Sequence, residues 1–504
     1  MRFRAFAMTA AIMLQGTGSD VGKSVLVAGL CRLARRRGLN VVPFKPQNMS
    51  NNAAVASDRS GGFGEIGRAQ WLQALACDRE PTVDMNPVLL KPQSERGSQV
   101  VVRGRVVGQA SGRDYLDLKS RLLGEVMSSF ATLGREADLV IVEGAGSPAE
   151  VNLRRGDVAN MGFATAANVP VVLVGDIDRG GVIASLVGTH AILPEPDRDM
   201  VRGFLINKFR GDVRLFDDGL SIIAERTGWP CLGVVPWLAA AGRLPAEDSV
   251  ALERLSSPRT RIGGSLRIAV PILGRTANFD DLDPLSAESA CDVTWIREGG
   301  DIPADTNVVI IPGSKSTIAD LNRLRENGWD DQIRGAHERG AQIIGLCGGY
   351  QILGKLIDDP QGVEGGGTAD GLGLLAVRTV MGPAKTTKPI QARSTRFDVP
   401  VDGYEIHMGR TTGRDTKRAP FVTESGPDGA ASADGRVWGT YIHGVFGDGD
   451  FRGAWLASHG VHSDGGHHRD RIVRTLDELA GELEPVVDFN AMLKLAEERR
   501  AESC

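Results

Sequence analysis

A glycine-rich turn between an apolar run and a helix-like stretch constrains this chain more than any other feature. Ala11–Gln15 reads as a buried strand, Gly16-Thr-Gly-Ser-Asp-Val-Gly-Lys-Ser24 follows at once, and Lys23–Arg36 carries apolar residues at helical spacing. A strand that turns through glycines directly into a helix is the opening unit of a parallel sheet covered by helices. The same rhythm continues. Asn40–Phe44, Asp138–Val142, Pro170–Val174, Val201–Ile206 and Cys231–Val235 are further strand candidates, and Leu118–Leu133 is a further helix candidate. The expected class is therefore α/β.

The polar stretch Arg254–Gly264, rich in Ser, Arg and Gly, interrupts the alternation before a fresh strand at Leu266–Pro271. With 504 residues the chain exceeds one ordinary core. It is expected to form a first domain at 8–254, a linker at 255–264 and a second domain at 265–500. Val308–Ile311, Gln342–Leu346 and Val437–Tyr441 restart the strand pattern, and Asn490–Arg500 reads as a helical tail of the second domain. Gly362–Gly373, Thr411–Gly429 and Ser463–Gly466 read as loops.

Composition excludes several classes. Hydrophobic residues at 42% and charged residues at 24% match a globular chain, and a net charge of −5 provides no general field for nucleic acid or an anionic membrane. Val169–Val174 and Val308–Ile311 are among the longest apolar runs, far short of the roughly 20 residues a membrane span needs. Met1–Ala11 has no long apolar core and reads as a ragged lead into the first strand. Six cysteines without a C-x-x-C pair fit a reducing cytoplasm.

The Gly16–Ser24 turn has the chemistry of a phosphate cradle. Its glycines, Gly18 and Gly22 among them, let backbone N–H groups point inward, with Asp20 between them. The helix N-terminus adds partial positive charge, Lys23 neutralises phosphate oxygens, and Ser24 can ligate Mg²⁺. The spacing departs from G-x-x-x-x-G-K-[ST] because position 17 is Thr. This variant loop resembles that of dethiobiotin synthetase and its relatives. In Asp138–Gly146, Glu143 stands just past a strand's carboxyl end, where it can share Mg²⁺ with Ser24. Lys45, in Phe44-Lys-Pro-Gln47, is a candidate phosphate ligand, and Asn207, ahead of Lys208, is a candidate contact to a nucleotide base.

A second strand-turn-helix elbow, Ile343-Ile-Gly-Leu-Cys-Gly-Gly-Tyr-Gln-Ile-Leu353, carries Cys347 at its tip. Such an elbow projects the sulfur, favours thiolate and frees the Gly348 N–H for an oxyanion. Gly439–Phe446 puts His443 just past a strand as the general base, with His407 as rival. Ile310–Lys315 offers a second oxyanion donor from Gly313 or Ser314. Of the other histidines, His190 and His337 read as structural, and His459, His462, His467 and His468 as a solvated loop rather than a metal site.

Together with these motifs, the runs Gly64–Gln70, Met85–Pro92, Asp176–Gly181, Leu205–Asp212 and Pro312–Ser316 resemble the cobyric acid synthase family over nearly the whole chain. The resemblance implies a P-loop NTPase-type, dethiobiotin synthetase-like synthetase domain followed by a class I glutamine amidotransferase-like domain. It implies ATP- and glutamine-dependent amidation of the b, d, e and g carboxylates of adenosylcobyrinic acid a,c-diamide. ATP and Mg²⁺ are then the cofactors, glutamine and a corrinoid polycarboxylate the partners, and homo-oligomerisation is left open. The a,c-diamide synthases share the layout, and a partitioning-type switch ATPase with a dead glutaminase-like domain is the non-enzymatic alternative.

Relatives of the Cys-His class often carry Glu two residues after the histidine, where this chain has Val445. The third triad member is therefore open between Glu405, Asp448 and a bare dyad. The segment Lys91–Arg113, with Lys91, Arg96, Arg103, Arg105 and Arg113 against Glu95, is equally a corrinoid-facing surface or a solvated hairpin.

Overall fold

The computed structural model describes residues 9–92, 97–246 and 265–502. The whole Arg254–Gly264 stretch, with the 255–264 linker, together with Glu95, Arg96 and residues 1–8, lies outside them. The described residues form two compact units. One takes in residues up to Ser50, Ala56–Leu244 and the tail from Ile472; the other takes in Asn51–Val55 and Pro245–Arg471.

The first unit is built on a wholly parallel six-stranded sheet. Its order is Cys231–Pro236, Val201–Phe209, Val171–Asp176, Ala10–Gly16, Leu139–Glu143, Val41–Phe44. All six expected strands are present. The three central ones are buried along their whole length, which is why they read as unbroken apolar runs. The helices Lys23–Arg36 and Gly112–Gly134 also form, the latter six residues longer at its start than the periodicity suggested. Gly16 ends the central strand, so its loop opens at the carboxyl edge of the sheet, where the strand order reverses.

Expectation and structure part at the C-terminus. The tail assigned by sequence to the second domain packs in the first unit from Ile472 onward. Leu476, Leu479, Ala480 and Leu483, on the helix His468–Leu483, enter one core with Leu26, Leu30 and Leu33 of the first helix. Arg32 fastens the contact through two hydrogen bonds to Asp477, at 2.7 and 2.9 Å. Helical periodicity showed an amphipathic tail; it carried no information about which sheet would cover the apolar face.

The second unit has its own six-stranded sheet, in the order Cys291–Ile296, Leu266–Pro271, Val308–Ile311, Gln342–Leu346, Val437–Thr440, Ala430–Ala431. All pairings are parallel except the last. Beside it lies a second sheet dominated by the antiparallel pair Val377–Ser394 and Pro400–Gly413. Two expected loops carry strands of this sheet. Gly367–Asp370 falls in Gly362–Gly373, and Phe421–Thr423 and Gly426–Asp428 fall in Thr411–Gly429. They pair largely as short hairpins, Gly367–Asp370 with Leu356–Asp359 and Phe421–Thr423 with Gly426–Asp428, and their glycine-rich composition concealed them. Ile442–His443 pairs with Tyr404 and Glu405, so the residue after a main-sheet strand is anchored in the second sheet.

Candidate functional site

At the carboxyl edge of the first sheet the Gly16–Ser24 loop closes on itself. Gly22 lies at φ 95°, and a Cβ there would fall 2.3 Å from Asn207 Nδ2, so only glycine suits both the turn and the contact. Asn207 Nδ2 donates to Val21 O at 2.8 Å, bracing the loop from the neighbouring strand. Asp20 is also left-handed, at φ 58°, with its side chain paired to Arg179 at 3.2 Å. Lys23 Nζ donates to Gly18 O and Gly146 O, at 3.1 and 3.2 Å. These bonds hold the ammonium over the mouth of the loop.

Glu143 is the hub of this edge and is 1% exposed. Its Oε1 accepts from Ser24 Oγ and from Lys45 Nζ, both at 2.7 Å, while Oε2 accepts from Gln73 Nε2 at 2.6 Å. Buried polar and charged groups are normally paired and hydrogen-bonded in this way. The structure thus brings Ser24, Lys45 and Glu143 together from three separate strand ends. Gln73, on the helix Arg68–Ala76, completes the set. Ser24 and Glu143 offer adjacent hard oxygen donors, a set that suits Mg²⁺ when phosphate oxygens and water supply the remaining ligands.

In the second unit Cys347 sits at φ 50°, ψ −104°, outside the regions a non-glycine residue normally occupies. Such strain at the tip of a strand-to-helix elbow matches a nucleophile elbow, here with the cysteine 8% exposed. The turn demands glycine behind it: a Cβ on Gly349 would lie 2.0 Å from Ile311 O. A Cβ on Gly348 would meet the Ser314 backbone N at 2.7 Å, which places Gly348 directly against the Gly313–Ser314 turn. Gly313 and Ser314 are themselves pinned opposite Ala277 and Thr276 in a short antiparallel bridge.

His443 is buried, and its Nδ1 meets Asp281 Oδ2 at 2.7 Å. Asp281 Oδ1 also accepts the Gly444 N–H at 2.7 Å, so both of its oxygens serve the His443 turn. Burial alone would push the His443 pKa down. The charge and hydrogen bond of Asp281, then the hydrogen bond and charge of Cys347, outweigh burial and push it up to about 10.

The carboxylate in contact with His443 is Asp281, rather than Glu405 or Asp448. Glu405 is turned to His407 and Lys388, each at 3.7 Å, because its backbone pairs with Ile442 while its side chain leaves toward the other strand. Asp448 caps the helix Gly449–Ser458, accepting from the backbone N–H groups of Asp450 and Phe451. His407 bonds Gly409 O through Nδ1 at 3.0 Å and stacks on Tyr441 with ring centres 3.9 Å apart. Those contacts commit the His407 ring to Tyr441 and Gly409.

In the described part of Lys91–Arg113 three of the basic residues are held in ion pairs. Lys91 is buried against Glu65 at 2.6 Å, Arg103 pairs with Asp84 at 3.1 Å, and Arg105 with Asp58 at 2.9 Å. Among the described residues no cluster of three or more His, Cys, Asp or Glu is arranged to hold a metal.

Two domain families match this chain. The CobQ/CobB/MinD/ParA nucleotide-binding domain matches residues 12–251, and the CobB/CobQ-like glutamine amidotransferase domain matches residues 267–451. The cobyric acid synthase of Mesorhizobium japonicum is 61% identical over 97% of this chain and 100% of its own length. Those of Rhizobium meliloti and Sinorhizobium fredii are 63% and 62% identical, each over 95% of this chain and 98% of its own. The chain belongs to the cobyric acid synthase family.

As a member of the cobyric acid synthase family it joins a nucleotide-binding domain to a glutamine amidotransferase domain and is a glutamine-dependent ligase. Neither Asp281 nor Gln73 stood out in its sequence. Asp281 lies 162 residues before His443, in a run of acids, Phe279-Asp-Asp-Leu-Asp283, that reads as surface. Gln73 is one polar residue in an otherwise ordinary helix; its only sequence signal is that it adjoins the family-like run Gly64–Gln70.

Proposed function

We propose that this protein catalyses ATP- and glutamine-dependent amidation of the b, d, e and g carboxylates of adenosylcobyrinic acid a,c-diamide, giving adenosylcobyric acid. The observation that carries this reading is the joining, in one chain, of a strained Cys347 and an Asp281-held His443 with a glycine loop that has Lys23 at its mouth. The names of the near full-length relatives supply the substrate class.

In the amidotransferase half, the Cys347 sulfur attacks the side-chain amide carbon of glutamine. The N–H of Gly348, with a second donor from the Gly313–Ser314 turn, receives the oxyanion. His443, held by Asp281, gives its proton to the departing nitrogen, and ammonia leaves. Water then hydrolyses the thioester, returning the thiol and releasing glutamate.

In the synthetase half, a substrate carboxylate oxygen attacks the γ-phosphorus of ATP, with ADP as leaving group, and ammonia displaces phosphate from the resulting acyl phosphate. Lys23 and the loop N–H groups stabilise the charge on the transferring phosphoryl oxygens. Ser24 and Glu143 are the residues that would hold Mg²⁺, which supplies charge neutralisation on the phosphates when bound. Lys45 pairs with Glu143 and holds it in place, and Asn207 stiffens the loop from behind. We place the reaction in the cytoplasm, where a catalytic thiol stays reduced.

The test is to supply purified protein with ATP, glutamine and either cobyrinic acid or its a,c-diamide, and to count amides by mass spectrometry. Four new amides on the a,c-diamide are expected. No amidation of the a,c-diamide, or conversion of cobyrinic acid to the a,c-diamide instead, would overturn the assignment.

A further inference from the structure

Resting on the glutaminase reading above, we propose that Asn52, Asn278 and Tyr404 form a clamp that positions the His443–Asp281 pair, so that a segment from the sequence range of the nucleotide-binding domain completes the glutaminase site. Asn51–Val55 lies within the stretch matched by the nucleotide-binding family, yet its contacts place it in the second unit.

Asn278 is the centre of the clamp. It is buried, sits in the left-handed region at φ 51°, and opens the 3₁₀ turn Phe279–Leu282 that carries Asp281. Asparagine tolerates that conformation better than most residues, but it needs local hydrogen bonds to hold it there. Its N–H donates to Asn52 Oδ1 at 2.9 Å, its side-chain Nδ2 donates to Ala53 O at 3.3 Å and to the Tyr404 hydroxyl at 3.0 Å, and its carbonyl accepts from Asp281 N at 3.1 Å.

Tyr404 is the other arm. Its ring stacks on His443 with centres 5.2 Å apart and planes 20° from parallel, and its backbone is in register with His443 in the second sheet. One residue thus fixes the turn that aims Asp281 and the ring that backs the imidazole. The groups facing His443 are then Asp281 from the turn, Cys347 from the elbow and the Tyr404 phenol ring from the paired strand. A loosened clamp weakens the Asp281 contact, and burial of the imidazole then disfavours its proton.

The experiment uses full-length Asn52→Ala, Asn278→Gly and Tyr404→Phe proteins, the last removing only a hydroxyl. Glutamate release is followed as kcat, KM and a pH profile, with ammonia-driven amide synthesis measured in parallel. Each variant is expected to lose on the order of tenfold in kcat for glutamine hydrolysis, the scale of a sub-ångström misplacement of a reacting group. KM for glutamine should hold, the alkaline limb of kcat/KM should move to lower pH, and ammonia-driven synthesis should persist. Wild-type kcat and pH limb in Tyr404→Phe and Asn52→Ala would overturn the clamp, as would equal loss of glutamine- and ammonia-driven synthesis. Glutamine hydrolysis that survives Cys347→Ala would instead overturn the glutaminase reading beneath it.

Discussion

The two elbows, Gly16–Ser24 and Leu346–Gly349, use the same device and differ in how much of the chain each needs. Both leave the carboxyl end of a central parallel strand and turn into a helix. The first is nearly complete within nine residues, because a phosphate needs only converging N–H groups, a helix end and one ammonium. The second supplies a sulfur and one N–H; the proton carrier and orienting acid proposed for it lie 96 positions later, at His443, and 66 earlier, at Asp281. Charge stabilisation can be built locally, whereas covalent catalysis needs a nucleophile, a base and an orienter that no short stretch can hold in line.

If the comparison is right, the deepest loss comes from Cys347→Ala. Glutamine hydrolysis should fall by on the order of 10⁵-fold, while ammonia-driven amidation continues, as seen by assaying glutamate and amide separately. Parallel loss of both would mean that the elbow is not a separable glutaminase.

Next in size is Asp281→Asn, expected to cut glutamine turnover by about 10³-fold, since a misoriented or wrong-tautomer imidazole fails as proton carrier. The sign of the accompanying pH effect is fixed. Asp281 is the main attraction holding the His443 pKa at about 10 against burial, above the ordinary 6.5, so its loss must lower that pKa. The alkaline limb of kcat/KM for glutamine should move to lower pH, and an unmoved limb would show that Asp281 does not act through His443.

A smaller effect belongs to the local site. Lys23→Ala should lower ATP-dependent amidation by on the order of 10²-fold with either glutamine or ammonia as nitrogen source, the scale of losing one preorganised charge contact. Amidation that ignores the change would separate the loop from the chemistry. The last prediction concerns the tail: Leu476→Ala should destabilise the first unit by about 2–5 kcal/mol, read by urea unfolding, because it opens a cavity under the first helix. An unchanged transition midpoint would place the tail outside the first unit's cooperative core.

These differences track what was legible in the residues. The central strands, the glycine loop with Lys23 and Ser24, and the Cys347 elbow all rest on periodicity and turn chemistry, which act between near neighbours. His443 was found because it, too, follows a strand directly. Asp281 was missed because a carboxylate in an acidic run looks like any solvated surface until its distant partner is known. Glu405 and Asp448 drew the eye only because they lie closer to the histidine in sequence, and the structure commits one to His407 and Lys388 and the other to a helix cap.

The residues alone are enough to read the pair of α/β domains, the family and the tips of two elbows, because alternation of apolar residues, short motifs and the backbone freedom of glycine are properties of short stretches. The contact of Asp281 with His443, the convergence of Lys45 and Gln73 on Glu143, the place of residues 51–55 in the second unit and the return of the tail to the first helix emerge only on folding. Each of those depends on burial and hydrogen bonding between groups separated by long stretches of chain, and such partners are chosen by the packing of whole sheets rather than by local preference.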